Sequence, residues 1–161
     1  MNEIRYRPIG TVHSPFKEPL GTPIQPGAAR DIDGTVEVFE EFAEGLKDLD
    51  GFSHVILIYH FHLSGEPSLE VEPFLDDQAH GVFSTRAPNR PNPVGISVVR
   101  LVGTLGNTLQ IRDVDIVDGT PLLDIKPYVP EFDGGDVTKK GWLEENLRRL
   151  PTRKDDGRFV E

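Results

Sequence analysis

Turn-forming residues interrupt this sequence along its whole length. The chain contains 16 glycines and 14 prolines among its 161 residues, about 19% of the total against about 12% in average proteins. This composition favours short strands joined by many turns. A chain of this length can build one real core but is too short for two full domains. We therefore expect one domain, with a β-barrel over residues 1–140 and a C-terminal helix and charged tail over 141–161 that belong to it.

Alternating polar and apolar residues predict strands in most of the chain. The segment HVILIYHFH, residues 54–62, is the strongest of them, because it is apolar on both faces and should be covered on both sides. Leu105-Gly106-Asn107 is a hairpin signal between two further strands. Amphipathic spacing also predicts a short helix near residues 40–50 and a second one near 141–150. The strand patterns fall at residues 4–12, 34–39, 54–62, 94–105 and 108–117.

Short strands joined by hairpins, without long helices between them, predict a mainly β fold. We expect a single-domain antiparallel β-barrel with two short helices. The sequence has no GxGxxG after its first strand, no Walker lysine and no GxSxG, which argues against a Rossmann fold. A nucleotide ligand, if one binds, must then be held by loops.

Charge and composition exclude several classes of function. The formal net charge is −10, so a polyanion such as a nucleic acid could bind only at a local basic patch. The absence of cysteine excludes disulfides, thiolate catalysis and cysteine-ligated zinc. The amino terminus lacks the apolar core of a signal peptide, and the run from Val55 to Tyr59 is too short to cross a bilayer. We expect a soluble, cytoplasmic protein without a membrane partner.

The loop GVFSTRAPNRPNPVG, from Gly81 to Gly95, places two arginines on a stiff frame. Its prolines fix their own φ angles and restrict the residues before them. Arg86 and Arg90 could therefore hold a carboxylate or a phosphate through paired hydrogen bonds. The alternative is that both are solvated or pair with some of the chain's 27 carboxylates. The prolines on every side strengthen the case for an anionic ligand, and both interpretations stay open on the sequence.

Two histidines follow the strongest strand. His60 and His62 are two residues apart and share one face of the strand, so they could be half of a metal site that His13, His54 or His80 completes. The sequence provides no carboxylate or third histidine at a diagnostic spacing, and we expect no metal. A histidine at a strand end can instead hydrogen-bond a ligand or act as a base.

Five segments, in order, resemble the TrmO family, also called TsaA-like or YaeB-type proteins. They are IGTVHSPF, TPIQPG, HVILIYHFH, GVFSTRAPNRPNPVGIS and DIVDGTPLLDIKPYVPEFD, and the resemblance covers roughly residues 4–133. The resemblance implies a methyltransferase that uses S-adenosylmethionine on a β-barrel and acts as a homodimer, with the cofactor near the subunit boundary. It also implies a tRNA substrate, in which N6-threonylcarbamoyladenosine at position 37 is methylated on N6.

The resemblance implies cofactor contacts on four segments of this chain, two of which also carry proposed substrate contacts. Leu63 departs from those members that have glutamine at this position, so a polar contact is missing here. The implied cofactor contacts are Pro23, Ile24, Gln25, His62, Leu63, Arg86, Asp118, Gly119, Thr120 and Pro121.

The chemistry of the reaction suggests further roles. The acceptor nitrogen is urea-like and a poor nucleophile, so a base should remove its proton; Asp118, Asp124 or His62 would suit. An arginine of the proline loop could hold the threonine carboxylate of the base, with Tyr128 stacking on the adenine. The expected substrate-binding residues are Arg86, Arg90, Asn92, Lys126 and Tyr128.

Two other functions remain open on the sequence alone. One is a non-catalytic module that binds S-adenosylmethionine as a sensor or presents the barrel to a protein partner. The other is a methyltransferase for a small molecule, which the acidic composition favours. For tRNA, the phosphate-binding face would be a basic group near the C-terminus, although these residues could equally form a solvated helix end. The group consists of Lys139, Lys140, Arg148, Arg149, Arg153 and Lys154.

Overall fold

The computed structural model describes residues 2–160 and shows a six-stranded closed barrel. Met1 and Glu161, at the ends of the expected domain ranges, lie outside the described residues. Every strand pair is antiparallel, in the order β1-β2-β7-β6-β3-β8, and β4 pairs with β5 in a separate two-stranded sheet. The strands are β1 (Gly10–His13), β2 (Asp33–Val38), β3 (His54–His60), β4 (Glu70–Val71), β5 (His80–Gly81), β6 (Val94–Leu105), β7 (Thr108–Arg112) and β8 (Thr120–Pro127).

The barrel interior is filled by alternate residues of its strands. Val55, Leu57 and Tyr59 of β3 are at most 5% exposed, whereas the residues between them are half-buried. The expected cover on both sides of β3 is therefore complete on the face inside the barrel and partial on the other face. Strand β6 is long enough to pair with both β3 and β7, with a register shift between Leu101 and Gly103.

The helices of this chain are short. The segment expected as the first helix forms a 3₁₀ helix over Glu40–Leu46 and a single turn over Leu49–Gly51. The second expected helix is two 3₁₀ turns, Gly141–Leu143 and Leu147–Arg149. The α-helix among the described residues, α1, spans Pro130–Asp133. Segments this short cannot sustain an α-helix by propensity, since nucleation is costly.

The residues after α1 run along the outside of the barrel end. We call residues 134–160 the C-terminal segment. Its backbone accepts hydrogen bonds from the amides of Gly21 and Gly65, and Lys154 forms a β-bridge with Pro23. The segment therefore packs on the loops at this end of the barrel. Within residues 2–160, no helix is long and apolar enough to cross a membrane.

Candidate functional site

A cavity of about 970 Å³ lies at one end of the barrel. Strand β3 ends there, β6 and β8 begin there, and the loops after β1 and before β6 meet there, because antiparallel pairing brings these ends together. The C-terminal segment closes the outer side with Trp142, Leu143, Leu147 and Leu150. The four segments that are predicted to bind the cofactor therefore meet at one end of the barrel.

The floor of the cavity contains a buried polar chain. Tyr59 is 5% exposed, Ser97 is 2% exposed and Asp115 is 9% exposed. Ser97 Oγ donates a hydrogen bond to Asp115 Oδ1 at 2.6 Å and lies 2.8 Å from the Tyr59 hydroxyl. Burial raises the pKa of Asp115 to about 7 and raises the pKa of Tyr59 well above its usual value. The phenol therefore stays protonated, while the carboxyl group can change protonation near neutral pH.

Gly95 makes this floor possible. It pairs with Tyr59 across β3 and β6, and a Cβ atom at this position would lie 2.5 Å from Cε2 of Tyr59 and 2.6 Å from Cζ of Phe61. Real Cβ contacts are not that short, so only glycine lets the two rings approach β6. The rings themselves meet edge to face, with centroids 5.5 Å apart.

The two arginines of the proline loop both line the cavity. Arg86 Nη1 donates to Gln25 Oε1 at 2.9 Å, and Arg90 Nη1 donates to the carbonyl oxygens of Thr85 and Ala87 at 3.0 and 3.2 Å. Among residues 2–160, neither arginine is part of a salt bridge. Both guanidiniums therefore keep their positive charge available to an anionic ligand, held in place by neutral partners.

Most of the predicted site residues border this cavity. His62 is among them, and burial together with the charge of His60 lowers its pKa, so its imidazole is neutral at pH 7. The lining includes Pro23, Ile24, Gln25, His62, Leu63, Arg86, Arg90, Asn92 and Thr120.

Asp118 lies close to the cavity but is not part of its lining. Its carboxylate accepts a hydrogen bond from Lys17 Nζ at 2.9 Å and another from the Ser14 amide at 3.0 Å. The Lys17 hydrogen bond is the largest cause of a lowered pKa at Asp118. Gly119 and Pro121 beside it are also outside the lining. This carboxylate is occupied by protein partners and is a weak proton acceptor.

Three predicted residues lie at the far end of β8, away from the cavity. Asp124 pairs with Lys126 Nζ at 2.9 Å, and the Tyr128 ring is tilted against His54, 6.3 Å away between centroids. The cavity lining includes none of the three predicted residues. Because β8 starts at the cavity and runs away from it, the segment DIKPY carries these side chains to the opposite opening of the barrel.

Sequence reasoning missed the polar floor and one residue of the outer wall. Ser97 occupies an inward position of β6, and Asp115 lies between the buried Val114 and Ile116. A polar residue at such a position was the available signal. Trp142 was read as part of a helix. Its ring stacks on His80, with centroids 4.5 Å apart and planes 16° apart, and its Nε1 donates to the Ser84 carbonyl at 2.9 Å.

A metal centre does not form in the described part of the chain. No group of three or more histidine, aspartate or glutamate side chains there is arranged to hold an ion. The His60 and His62 pair therefore gains no third ligand from the described residues.

Comparison with known proteins identifies the family. A family model described as the tRNA-methyltransferase O N-terminal domain matches residues 11–134, about three quarters of the chain. This chain belongs to the TrmO family. The predicted family is thereby confirmed. A probable S-adenosyl-L-methionine-binding protein of Pyrococcus abyssi is similar to this TrmO-family chain, with 66% identity over 156 residues, 97% of this chain and 85% of that protein.

Solved structures and a eukaryotic relative extend the comparison. The crystal structure of TrmO from Pseudomonas aeruginosa has a TM-score of 0.73 and 38% identity, covering 88% of this chain and 63% of that one. A tRNA (adenine(37)-N6)-methyltransferase of Mus musculus is 36% identical over 133 residues, 78% of this chain and 31% of the mouse protein. This chain therefore spans less than two thirds of either protein. The mainly β, closed-barrel fold class is confirmed.

Proposed function

We propose that this chain is a tRNA methyltransferase that uses S-adenosylmethionine and methylates N6 of N6-threonylcarbamoyladenosine at position 37. The observation that carries the proposal is a largely apolar cavity, in a TrmO-family fold, that is bordered by two arginines without carboxylate partners. The mouse relative named as a tRNA (adenine(37)-N6)-methyltransferase and the relatives named as S-adenosylmethionine-binding proteins support the same reaction.

The residues of the cavity fit the chemistry of S-adenosylmethionine. A volume of about 970 Å³ is at the upper end of the range for small-molecule sites, about 300 to 1,000 Å³, which leaves room for a second ligand. An arginine suits the methionine carboxylate, the Phe61 ring suits a sulfonium through a cation–π contact, and apolar walls with the Gln25 amide suit an adenine. When bound, this cofactor supplies an electrophilic methyl group on a positively charged sulfur.

The protein contributes alignment, charge and exclusion of water. Methyl transfer from a sulfonium is an in-line displacement, so holding donor and acceptor in position accounts for much of the rate. We assign Arg86 of the proline loop, which donates a hydrogen bond to Gln25 in the segment TPIQPG, to the cofactor. Arg90 and Asn92 are assigned to the substrate, with Arg90 holding the threonine carboxylate. The structure offers no support at this site for Lys126 and Tyr128, which lie at the other end of the barrel.

The tRNA backbone is proposed to bind along the C-terminal segment. The six basic residues identified there form no salt bridge within the described chain, and the segment forms the outer wall of the cavity. A locally positive wall beside the site can attract phosphates although the whole chain has a charge of −10.

The proposal includes a homodimer in the cytoplasm. Four large apolar side chains at the cavity are more than a third exposed: Phe83 at 77%, Ile96 at 45%, Val94 at 41% and Leu63 at 40%. A second copy that covers them would place the cavity near the subunit boundary, as expected from the family. Light scattering of the protein with and without Phe83→Asp checks this, since the variant should shift the mass from dimer to monomer.

The reaction is tested by methyl transfer to tRNA with and without the threonylcarbamoyl group. The protein is incubated with labelled S-adenosylmethionine, and nucleosides are analysed by mass spectrometry. We expect one added methyl group on the modified nucleoside alone. Arg90→Ala should reduce turnover of tRNA about 100-fold with nearly unchanged cofactor affinity, because it removes a charged hydrogen bond to the substrate. Arg112→Ala, which breaks a surface pair with Asp33, is the control.

A non-catalytic S-adenosylmethionine-binding module is the second candidate, and a small-molecule methyltransferase is the third. The relative in Pyrococcus abyssi is named only for binding, and the net charge of −10 favours a small substrate. Cofactor binding without transfer to any tRNA would support the module. Transfer that does not weaken with salt would support a small substrate, since phosphate contacts make tRNA binding strongly salt-dependent.

A further inference from the structure

Asp115 occupies an unusual place for a carboxylate. It lies on the connection between β7 and β8, is 9% exposed, and is part of the cavity lining. No salt bridge within residues 2–160 includes it. A buried carboxylate without a directly paired cation costs folding free energy that a neutral side chain would not. Its position at a ligand cavity therefore calls for a chemical role.

A chain of two hydroxyl groups runs from Asp115 into the barrel, and the nearer of them, that of Ser97, holds the carboxylate in place. Ser97 Oγ is the donor to Oδ1 at 2.6 Å, so the Ser97 oxygen is free to accept a hydrogen bond from the Tyr59 hydroxyl at 2.8 Å. Both hydroxyls come from neighbouring barrel strands, β3 and β6, that are paired at this level. The carboxylate is thus fixed by the barrel itself rather than by a loop.

The groups that face Asp115 set its proton affinity. Burial is the largest influence, and the Ser97 hydrogen bond and the positive charge of Arg86 oppose it only in part. Tyr59 is the other titratable group beside it, and its phenol remains neutral. The resulting pKa of about 7 matches the operating pH that a general base needs.

Other acids and bases near the site are less suited to this role. Asp118 is neutralised by Lys17 and does not line the cavity. Asp124 lies at the opposite end of the barrel, paired with Lys126. His62 lines the cavity and is neutral at pH 7, so it is the competing base. Asp115 differs from His62 in being buried and in accepting a hydrogen bond from the buried Ser97 hydroxyl, which Tyr59 holds in turn.

We propose that Asp115 is the general base of the methyl transfer, and this inference rests on the proposed function. N6 of the modified adenine forms a bond to the methyl carbon as the bond from that carbon to the sulfonium sulfur of the cofactor breaks. The electron pair of the broken bond stays on sulfur, which leaves a neutral thioether. The proton of N6 passes to the Asp115 carboxylate and from there to solvent after product release. Ser97 and Tyr59 are positioning residues.

The test is the pH dependence of single-turnover methyl transfer to modified tRNA. In the wild-type protein the rate should rise with pH and level off above about pH 7. Asp115→Asn should lower the plateau by about 10²-fold to 10⁴-fold and remove the inflection, with cofactor affinity by calorimetry changed less than about threefold. The matched control is Asp113→Asn, two residues away, where the carboxylate pairs with Arg100 outside the cavity; this variant should keep both rate and inflection.

Two further variants keep the test decisive if Asp115→Asn does not fold. Because the Ser97 hydrogen bond lowers the pKa of Asp115, Ser97→Ala should move the inflection to higher pH, an effect that a purely structural role does not produce. His62→Gln should leave the inflection in place. Loss of the inflection in His62→Gln, or an unchanged profile in Asp115→Asn or Ser97→Ala, overturns the assignment. Absence of turnover in the wild-type protein instead overturns the proposed function.

Discussion

The floor and the outer wall of the cavity are built in opposite ways. The floor consists of barrel strands, in which β3 pairs with both β6 and β8 over most of its length. The wall is the C-terminal segment, held by separate contacts such as the hydrogen bonds from Gly21 N to Asp155 O and from Gly65 N to Phe159 O, both 2.7 Å. Local opening of a protein follows the density of buried contacts. We therefore expect the floor to stay in place and the wall to open for ligands.

The largest expected difference concerns stability. Leu57 on the floor side is 0% exposed within the barrel core, so Leu57→Ala should lower the free energy of unfolding by about 2 to 5 kcal/mol. Leu147 in the wall lines the cavity and is only partly buried, so Leu147→Ala should cost less than about 1 kcal/mol. Urea unfolding of both variants measures the difference. Equal losses would mean that the wall is part of the cooperative core.

The contributions of the floor and the wall to folding stability should change with pH in opposite directions. Asp115 in the floor has a pKa of about 7 when folded against about 3.9 when unfolded. The folded state therefore holds a proton that the unfolded state releases, and stability falls as pH rises from about 4 to 7, by at most about 4 kcal/mol. In the wall, the Arg158 hydrogen bond lowers the pKa of Asp156. Its stabilisation is present above pH 4 and is lost at lower pH.

Thermal unfolding from pH 3 to pH 8 checks both signs. In Asp115→Asn, the decrease in stability that is expected between pH 4 and 7 in the wild-type protein should be absent. Asp156→Asn should change the curve only below about pH 4, and by less, because the Asp156 side chain is 45% exposed and solvent screens its pairing. A wild-type curve that is as flat between pH 4 and 7 as that of Asp115→Asn would contradict the burial of Asp115.

The barrel strands under the cavity were predicted better than the wall, because period-two patterns report on burial in strands, but the polar chain of Tyr59, Ser97 and Asp115 was not predicted. Val55, Leu57 and Tyr59 fall on one face by simple alternation, and the proline loop identified Arg86 and Arg90. The alternation of polar and apolar residues does not show which loops meet at the same end of the barrel. The type of Asp124 and Lys126 and their nearness to residues 118–121 predicted a place at the site, but β8 carries both side chains away from the cavity.

The wall was predicted as a helix because its apolar residues have helical spacing. In the structure this spacing comes from a segment of separate turns. Leu143, Leu147 and Leu150 have the i, i+4, i+7 spacing that predicts a helix over about residues 141–150. In the structure the positive φ of Gly141 and two separate 3₁₀ turns direct Leu143, Leu147 and Leu150 to the cavity. A single sequence does not distinguish a helix that packs on a core from a turn-rich segment that covers a ligand site.

The smallest expected effect concerns the aromatic contact that anchors the wall. Trp142 contributes a stacked ring on His80 and a hydrogen bond to Ser84, together about 1 to 2 kcal/mol. Trp142→Ala should therefore speed hydrogen exchange at the amides of Gly21 and Gly65, which donate to the wall, by about tenfold or more. Amides of β3 should keep their wild-type rates, as should the unfolding free energy within about 1 kcal/mol. If β3 amides accelerate as much as Gly21 and Gly65, opening is global and the wall does not move separately from the floor.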